Sequence, residues 1–83
     1  MVKTLEDTVE LMNSPDYRER FVAEYMQLAI RYKALMALVD KWDRGELEFK
    51  PTCPRSTYEL QLDAMGNYIA ILQARAVMEG IIL

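Results

Sequence analysis

Apolar residues recur at alternating spacings of four and three along two long stretches of the chain. The recurring residues are Phe21, Tyr25, Leu28, Tyr32, Leu35, Val39 and Trp42, followed later by Tyr58, Leu62, Met65, Ile69, Leu72 and Ala76. Such a heptad pattern is typical of two helices that pack along a shared line. We therefore predict an all-α fold built on a long antiparallel helical hairpin, and we call these residues the hairpin seam.

Boundary signals give the limits of the first long helix. Ser14 is a favourable N-cap, and Pro15 suits the first helical position, where no backbone N–H is needed. Gly45 is a typical stop signal. These signals predict a helix over about residues 15–43, followed by a connecting loop over residues 44–55.

The second long helix has its own start and stop signals. Ser56 and Glu59 have the spacing of a capping box, in which each side chain accepts a backbone N–H of the other residue. Gly80 marks the end, so the predicted helix spans about residues 56–79. The apolar tail that follows, residues 81–83, is expected to pack against the hairpin.

A short helix is predicted before the hairpin, over about residues 4–12. Thr4 can cap this helix, with Asp7 in the partner position of a second capping box. The chain of 83 residues is too short for a second domain. We expect one helical-hairpin domain over residues 1–83.

Apolar residues also lie off the hairpin seam on both long helices. A two-helix hairpin has no interior beyond its seam, and the short helix covers only part of this surplus. We expect the surplus to be buried between copies of the chain, since a small core needs additional support. The alternative is a monomeric three-helix bundle. The residues predicted to form the oligomer interface are Met26, Ile30, Tyr68, Ile71 and Met78.

Composition narrows the possible sources of stability and the possible partners. The chain has one Cys and no His, so it has neither an internal disulfide nor the ligands of a structural zinc site. Its net charge of −3 argues against duplex nucleic-acid binding. The acidic N-terminus does not resemble a signal peptide, and the longest uncharged helical stretch, residues 64–74, is too short to span a membrane. We expect a cytoplasmic protein.

Residues suited to catalysis are scarce. The sequence has no His, no glycine-rich phosphate loop, no nucleophile elbow and no metal-ligand cluster. Cys53 lies between two prolines, and a small buried loop side chain is a better interpretation than a nucleophile. We expect no enzymatic activity, no cofactor and no metal.

Cations beside aromatic residues are the candidates for nucleotide binding, because aromatic rings stack on bases while the Arg guanidinium donates paired hydrogen bonds to phosphate. The alternative is that each cation pairs with a nearby acid on the surface. Gly66 lies in mid-helix, where glycine is unfavourable. It indicates either a close helix–helix contact or access for a ligand; the alternative is an exposed position at which glycine is tolerated. The ligand-binding candidates are Tyr17, Arg18, Arg20, Lys33 and Arg75.

Three segments resemble the small helical-hairpin proteins of phages and prophages, including those of crAss-like phages. They are also similar to the hairpin of phage anti-CBASS and anti-Thoeris sponge proteins. The segments are MNSPDYRERFVAEY (12–25), LEFKPTCP (47–54) and LQLDAMGNYIAILQARA (60–76). The resemblance covers about residues 12–80, so residues 1–11 are interpreted as an element added to the hairpin.

The resemblance implies a non-enzymatic homo-oligomer, often a hexamer, acting in the bacterial host cytoplasm. Such sponges sequester cyclic di- or trinucleotide or cyclic ADP-ribose-type immune signals in pockets between protomers. On that basis Tyr17 would stack on a base while Arg20 or Lys33 holds a phosphate. The alternative hypothesis is a protein-interaction module that inhibits a host protein through its apolar helical faces. The third hypothesis is a structural or regulatory helical bundle that binds no ligand.

Overall fold

The computed structural model describes residues 4–83, and residues 1–3 of the predicted domain lie outside the described residues. A 3₁₀ turn at Glu6–Thr8 leads into α1 (Val9–Met12), which is followed by α2 (Tyr17–Asp43) and α3 (Arg55–Glu79). The two long helices form the predicted antiparallel hairpin. None of the helices in the described part of the chain is long and apolar enough to cross a membrane.

The hairpin seam faces inward as predicted, since every one of its residues is buried or half-buried. The most enclosed part lies near the open end, where Phe21 and Leu72 pack with Ala76 and the tail residue Ile81. Burial of Ile81 confirms that the tail packs on the hairpin at its first residue. Ile82 is 91% exposed, so this packing does not extend along the whole tail.

Glycines end both long helices where the sequence predicts. Gly45 and Gly80 have φ angles of 71° and 69°, a left-handed conformation that glycine adopts without steric cost. After each glycine the chain turns back, and the Ile81 N–H donates to the Ala76 carbonyl at 2.8 Å. This bond satisfies a carbonyl of the last helical turn and directs Ile81 into the core.

The start of α2 differs from the prediction. Asp16, not Ser14, is the N-cap, and its carboxylate accepts the Arg18 N–H at 2.9 Å. Ser14 Oγ instead accepts the Asp16 N–H at 3.0 Å and donates to Glu19. Because Pro15 disfavours the helical region for the residue before it, the chain stays non-helical through Ser14 and begins the helix at Tyr17.

The predicted Ser56–Glu59 capping box is absent from the described structure, and α3 begins one residue before Ser56. Pro54 occupies the N-cap in an extended conformation and has no side-chain cap. Glu59 is held by Arg55 at 3.3 Å, while Arg55 also forms a two-pronged pair with Asp43 at 2.6 and 2.9 Å. This pair ties the two helices together at the loop end.

The N-terminal segment, residues 4–13, packs against α2 and not against α3. Its predicted cap is confirmed, since Asp7 accepts the Thr4 N–H at 3.1 Å and Thr4 Oγ1 accepts the Asp7 N–H at 3.4 Å. Thr8 is fully buried, and its hydroxyl accepts a hydrogen bond from Gln27 of α2 at 2.8 Å. The segment therefore covers one face of α2 and leaves the outer face of α3 open.

Candidate functional site

Aromatic, basic and acidic side chains meet at the open end of the hairpin, where the first turn of α2 lies beside the last turn of α3. Arg75 Nη2 donates to Tyr17 Oη at 2.9 Å, and Tyr17 Oη donates to Glu79 Oε1 at 2.7 Å. Arg75 Nε also reaches Glu79 Oε2 at 3.2 Å. We call these three residues the open-end cluster.

Phe21 forms the floor of this cluster. The Arg75 guanidinium carbon lies 5.0 Å from the centre of the Phe21 ring, within the range of a cation–π contact. The Tyr17 ring meets the same ring edge-on, with centroids 6.2 Å apart. Tyr17 is 46% exposed whereas Phe21 is 2% exposed, so one ring remains open to a ligand above a fixed apolar base.

Hydrogen bonds within the open-end cluster shift the pKa values of its three residues. The hydrogen bond to Glu79 raises the pKa of Tyr17, and the same bond, followed by that from Arg75, lowers the pKa of Glu79. The bond to Glu79 likewise raises the pKa of Arg75. A carboxylate in the last turn of a helix is disfavoured by the helix dipole. The Tyr17 hydroxyl and the Arg75 guanidinium compensate for this placement.

Arg18 lies next to the cluster and closes the end of α3. Its Nη1 donates to the Gly80 carbonyl at 2.9 Å, which satisfies a backbone acceptor that a helix end leaves free. Arg18 also lines a cavity of about 350 Å³ whose walls include Leu11, Val22 and Ile81. The guanidinium thus stands at the mouth of an apolar recess at the open end.

A row of facing pairs continues from the cluster along one side of the hairpin. Tyr68 Oη donates to Glu24 Oε2 across the two helices. One further heptad along, Arg31 of α2 and Gln61 of α3 line a shared groove of about 330 Å³. Within the described residues Arg31 has no ion-pair partner, so its charge is available to a ligand. We call this side of the hairpin the lateral row.

The structure brings together three of the five predicted ligand residues. Tyr17, Arg18 and Arg75 lie at the open end, as described above. Arg20 points away and donates to the Ser14 carbonyl at 2.7 Å. Lys33 is exposed in mid-helix. The sequence reasoning did not point to Glu79. Arg31 and Lys33 both flank the seam residue Tyr32 and are both cations beside an aromatic residue, but only Lys33 is among the five predicted ligand residues.

The predicted interface residues lie on two different surfaces. Met26 and Ile30 are half-buried on α2. Tyr68, Ile71 and Met78 lie on α3 and are 42%, 57% and 77% exposed. Only the α3 members form a surface that no part of the described chain covers.

Another cavity lies at the opposite, loop end of the hairpin and is mostly apolar. It measures about 550 Å³ and is lined by loop residues together with Trp42 and Gly45. The Trp42 and Tyr58 rings meet edge-on at 5.6 Å beneath it. The interpretation of Cys53 as a buried loop residue is wrong, because this thiol is exposed. Lys50 is the cation among the lining residues, so the loop cavity offers less charge than the open end.

Comparison with known families identifies the hairpin. Residues 15–78 match the family model described as Sequestin. The protein belongs to the Sequestin family. The Sequestin match covers α2 and nearly all of α3, including Tyr17, Arg18 and Arg75, and leaves the N-terminal segment outside. No curated protein and no solved structure matches this Sequestin chain.

Proposed function

We propose that the protein is a non-enzymatic sponge that binds and sequesters a cyclic nucleotide-type immune signal. Membership of the Sequestin family carries the proposal, since that name denotes sequestration. In its finer form, the protein is phage-encoded and silences a bacterial defence by removing the signal without turnover. These finer points follow the resemblance to anti-CBASS and anti-Thoeris sponges.

The open-end cluster supports this proposal through its chemistry. A nucleotide signal presents a flat base and charged phosphates, and tight binding needs a stacking surface close to a fixed cation. The half-exposed Tyr17 ring and the Arg75 guanidinium provide both within hydrogen-bond distance of each other. Arg18 adds a second cation at the same end, and the apolar recess beside it can accept a ribose or base edge.

A binding screen tests the proposal directly. The purified protein is incubated with cyclic dinucleotides, cyclic trinucleotides and cyclic ADP-ribose isomers, washed, and then heated to release bound ligand for mass spectrometry. We expect tight binding of one class and release of the unchanged molecule, because a sponge does not alter its cargo. Absence of tight binding to every member of the panel would refute the proposal.

Variants connect binding to the cluster. Arg75→Ala removes a charge-assisted contact, which is typically about 1.5–3 kcal/mol, so affinity should fall by roughly 10- to 100-fold. Lys33→Ala removes an exposed cation away from the cluster and serves as the matched control, with little change expected. Equal losses in the two variants would place the ligand elsewhere. Circular dichroism of both variants verifies that the hairpin remains folded.

Exposed apolar residues on α3 favour a second candidate function, inhibition of a host protein by direct contact. Val77 is 84% exposed, Met78 77% and Leu60 70%, and exposed apolar surface often marks a protein interface. This function predicts capture of one defined host protein and no small-molecule binding in the screen above. The two candidates therefore give opposite results in the same pair of experiments.

A further inference from the structure

The Glu79 carboxylate at the open end lies in a position suited to a phosphate group. Tyr17 Oη donates to its Oε1 at 2.7 Å, and Arg75 Nε donates to its Oε2 at 3.2 Å. Both oxygens of one anion are therefore bound, one by a hydroxyl of α2 and the other by a guanidinium of α3. Carboxylates and phosphates accept hydrogen bonds from the same kinds of donor, so the position fits either anion.

The donors of Arg75 that would bind a phosphate are already engaged within the chain. A guanidinium holds a phosphate most strongly through two parallel N–H donors. On the Nε–Nη2 edge of Arg75, Nε donates to Glu79, and Nη2 donates to Tyr17 Oη at 2.9 Å. The guanidinium carbon lies 5.0 Å from the centre of the Phe21 ring, which covers one face. A two-pronged contact between this edge and a phosphate therefore requires the carboxylate to leave.

The carboxylate of Glu79 is held weakly enough to be exchanged. The side chains of Arg75 and Glu79 are 42% and 34% exposed, and exposed ion pairs are weak because water competes for both charges. Arg75 precedes Glu79 by one helical turn, which is the less favourable order for an ion pair within a helix. Glu79 is also the last residue of α3, where the helix dipole disfavours an anion. The carboxylate can therefore turn into solvent at small cost.

We infer that Glu79 is an internal competitor, which occupies the phosphate position of the open-end cluster until a ligand displaces it. Binding then exchanges one anion for another: the phosphate accepts hydrogen bonds from Arg75 and Tyr17, and the Glu79 side chain moves into solvent. Arg18, which donates to the neighbouring Gly80 carbonyl at 2.9 Å, places a second positive charge at the same end. The identity of the displacing phosphate as part of a cyclic nucleotide rests on the proposed function, whereas the exchange of anions at Arg75 does not.

An internal competitor makes the site selective. Every anion has to displace the same carboxylate, so each loses affinity by the same factor. A nucleotide offsets this loss because its base can stack on the half-exposed Tyr17 ring. Inorganic phosphate has no base to stack, and a neutral nucleoside cannot replace the carboxylate at Arg75. Glu79 thus favours ligands that carry a base and a phosphate together.

Titration with inorganic phosphate tests the exchange without any nucleotide. The Nε–H signal of Arg75 is followed by NMR and assigned with an Arg75→Lys variant. Phosphate affinity at this signal should rise about two- to fivefold in Glu79→Gln, because the neutral amide competes less than the carboxylate. Equal phosphate affinities in Glu79→Gln and the wild type, or no response to phosphate in either chain, would overturn the inference.

Glu59→Gln is the matched control for this titration. Glu59 pairs with Arg55 at 3.3 Å in the same i,i+4 arrangement on the same helix, but it lies at the loop end of the hairpin. The variant removes one negative charge, as Glu79→Gln does, and should leave phosphate affinity at Arg75 unchanged. An equal gain in the two variants would show an effect of net charge alone and would overturn the inference. Circular dichroism of each variant verifies the helical content.

The cyclic nucleotide bound in the screen extends the test to the proposed function. In calorimetric titrations, Glu79→Gln should bind this nucleotide about two- to fivefold more tightly than the wild type. In an Arg75→Ala background the gain should disappear, because a competitor has no effect once its cation is absent. A role of Glu79 in positioning Tyr17 and Arg75 for the ligand predicts the opposite result, weaker binding by Glu79→Gln, and that result would overturn the inference.

Failure of the inference is distinguishable from failure of the proposed function. If a member of the panel binds tightly and Glu79→Gln improves the affinity for neither that member nor phosphate, the competitor role is wrong and sequestration stands. If phosphate binds at Arg75 more tightly in Glu79→Gln and nothing in the panel binds, the competitor role stands and sequestration is wrong.

Discussion

Replacing Gly66 by alanine should stabilise the protein, because the structure leaves room for the added methyl group. Gly66 lies within α3 and faces Tyr32 of α2. A Cβ at this position would lie 3.4 Å from Tyr32 Oη and 3.8 Å from Cζ, both ordinary van der Waals contacts. Glycine inside a helix costs about 1 kcal/mol relative to alanine because it is freer in the unfolded chain. With space for the methyl group, that cost is recovered.

The expected gain in the free energy of unfolding is therefore about 1 kcal/mol. For a domain of this size, a change of that amount raises Tm by roughly 4–8 °C. The same substitution at Gly80 is the matched control. A Cβ at Gly80 would meet nothing within 4 Å, but φ is +69°, and a left-handed conformation costs an alanine about 1–2 kcal/mol. Gly80→Ala should lower Tm.

Thermal melts followed by circular dichroism measure both variants beside the wild type. Protein concentration must be identical in all samples, because association makes Tm depend on concentration. Opposite shifts of Tm for Gly66→Ala and Gly80→Ala would support the reasoning. If Gly66→Ala lowers Tm, the helices approach more closely at Tyr32 than described, and the interpretation of Gly66 as a site of close packing gains support. If Gly80→Ala raises Tm, the left-handed end of α3 is wrong.

Three further predictions concern the core, the N-terminal segment and the response to acid. Leu72 is fully buried, so Leu72→Ala should lower the free energy of unfolding by about 2–5 kcal/mol in urea titrations, and a loss below 1 kcal/mol would contradict its place in the core. Thr8→Val should leave Gln27 without its buried acceptor and cost about 1–3 kcal/mol; hydrogen exchange should speed up in the N-terminal segment and not in α3, whereas uniform acceleration would contradict separate packing. The pKa of Glu79 is lower in the folded chain than in the unfolded chain, so the ionised carboxylate stabilises the fold at pH values above its unfolded pKa. This stability is lost as the pH falls through the lower folded pKa, so Tm should drop below about pH 4. Glu79→Gln should reduce the drop, and an unchanged pH profile would refute the role of the pair with Tyr17.

The sequence alone determined which faces of the two long helices meet. Alternate spacings of four and three place apolar side chains on one side of a helix whatever surrounds it, and burial of that side follows from the hydrophobic effect. The ends of the two long helices also depend only on the local sequence, because glycine is the residue that adopts the left-handed conformation at Gly45 and Gly80 without cost. The reciprocal cap of Thr4 and Asp7 is likewise a contact within one turn of the chain.

Competition between neighbouring caps limited the sequence prediction at the helix starts. Ser14 and Asp16 are both good N-caps, and local preference does not rank them once Pro15 lies between them. Ser56 and Glu59 have the correct capping-box spacing, yet Glu59 pairs with Arg55, whose other contact is Asp43 on the opposite helix. The absence of the capping box therefore depends on Asp43, which lies twelve positions before Arg55 and meets it only when the hairpin forms.

Only the tertiary structure decided which candidates form a site. Tyr17 and Arg75 are separated by most of the chain, and their contact depends on how the loop sets the register of α2 against α3. A shift of one residue along either helix would rotate each side chain by about 100° and separate the pair. The same register puts Arg31 beside Gln61 and leaves Arg20 outside the open-end cluster. Periodicity thus determines which face of a helix is buried, whereas contacts between distant polar side chains require the two helices to be fixed relative to each other.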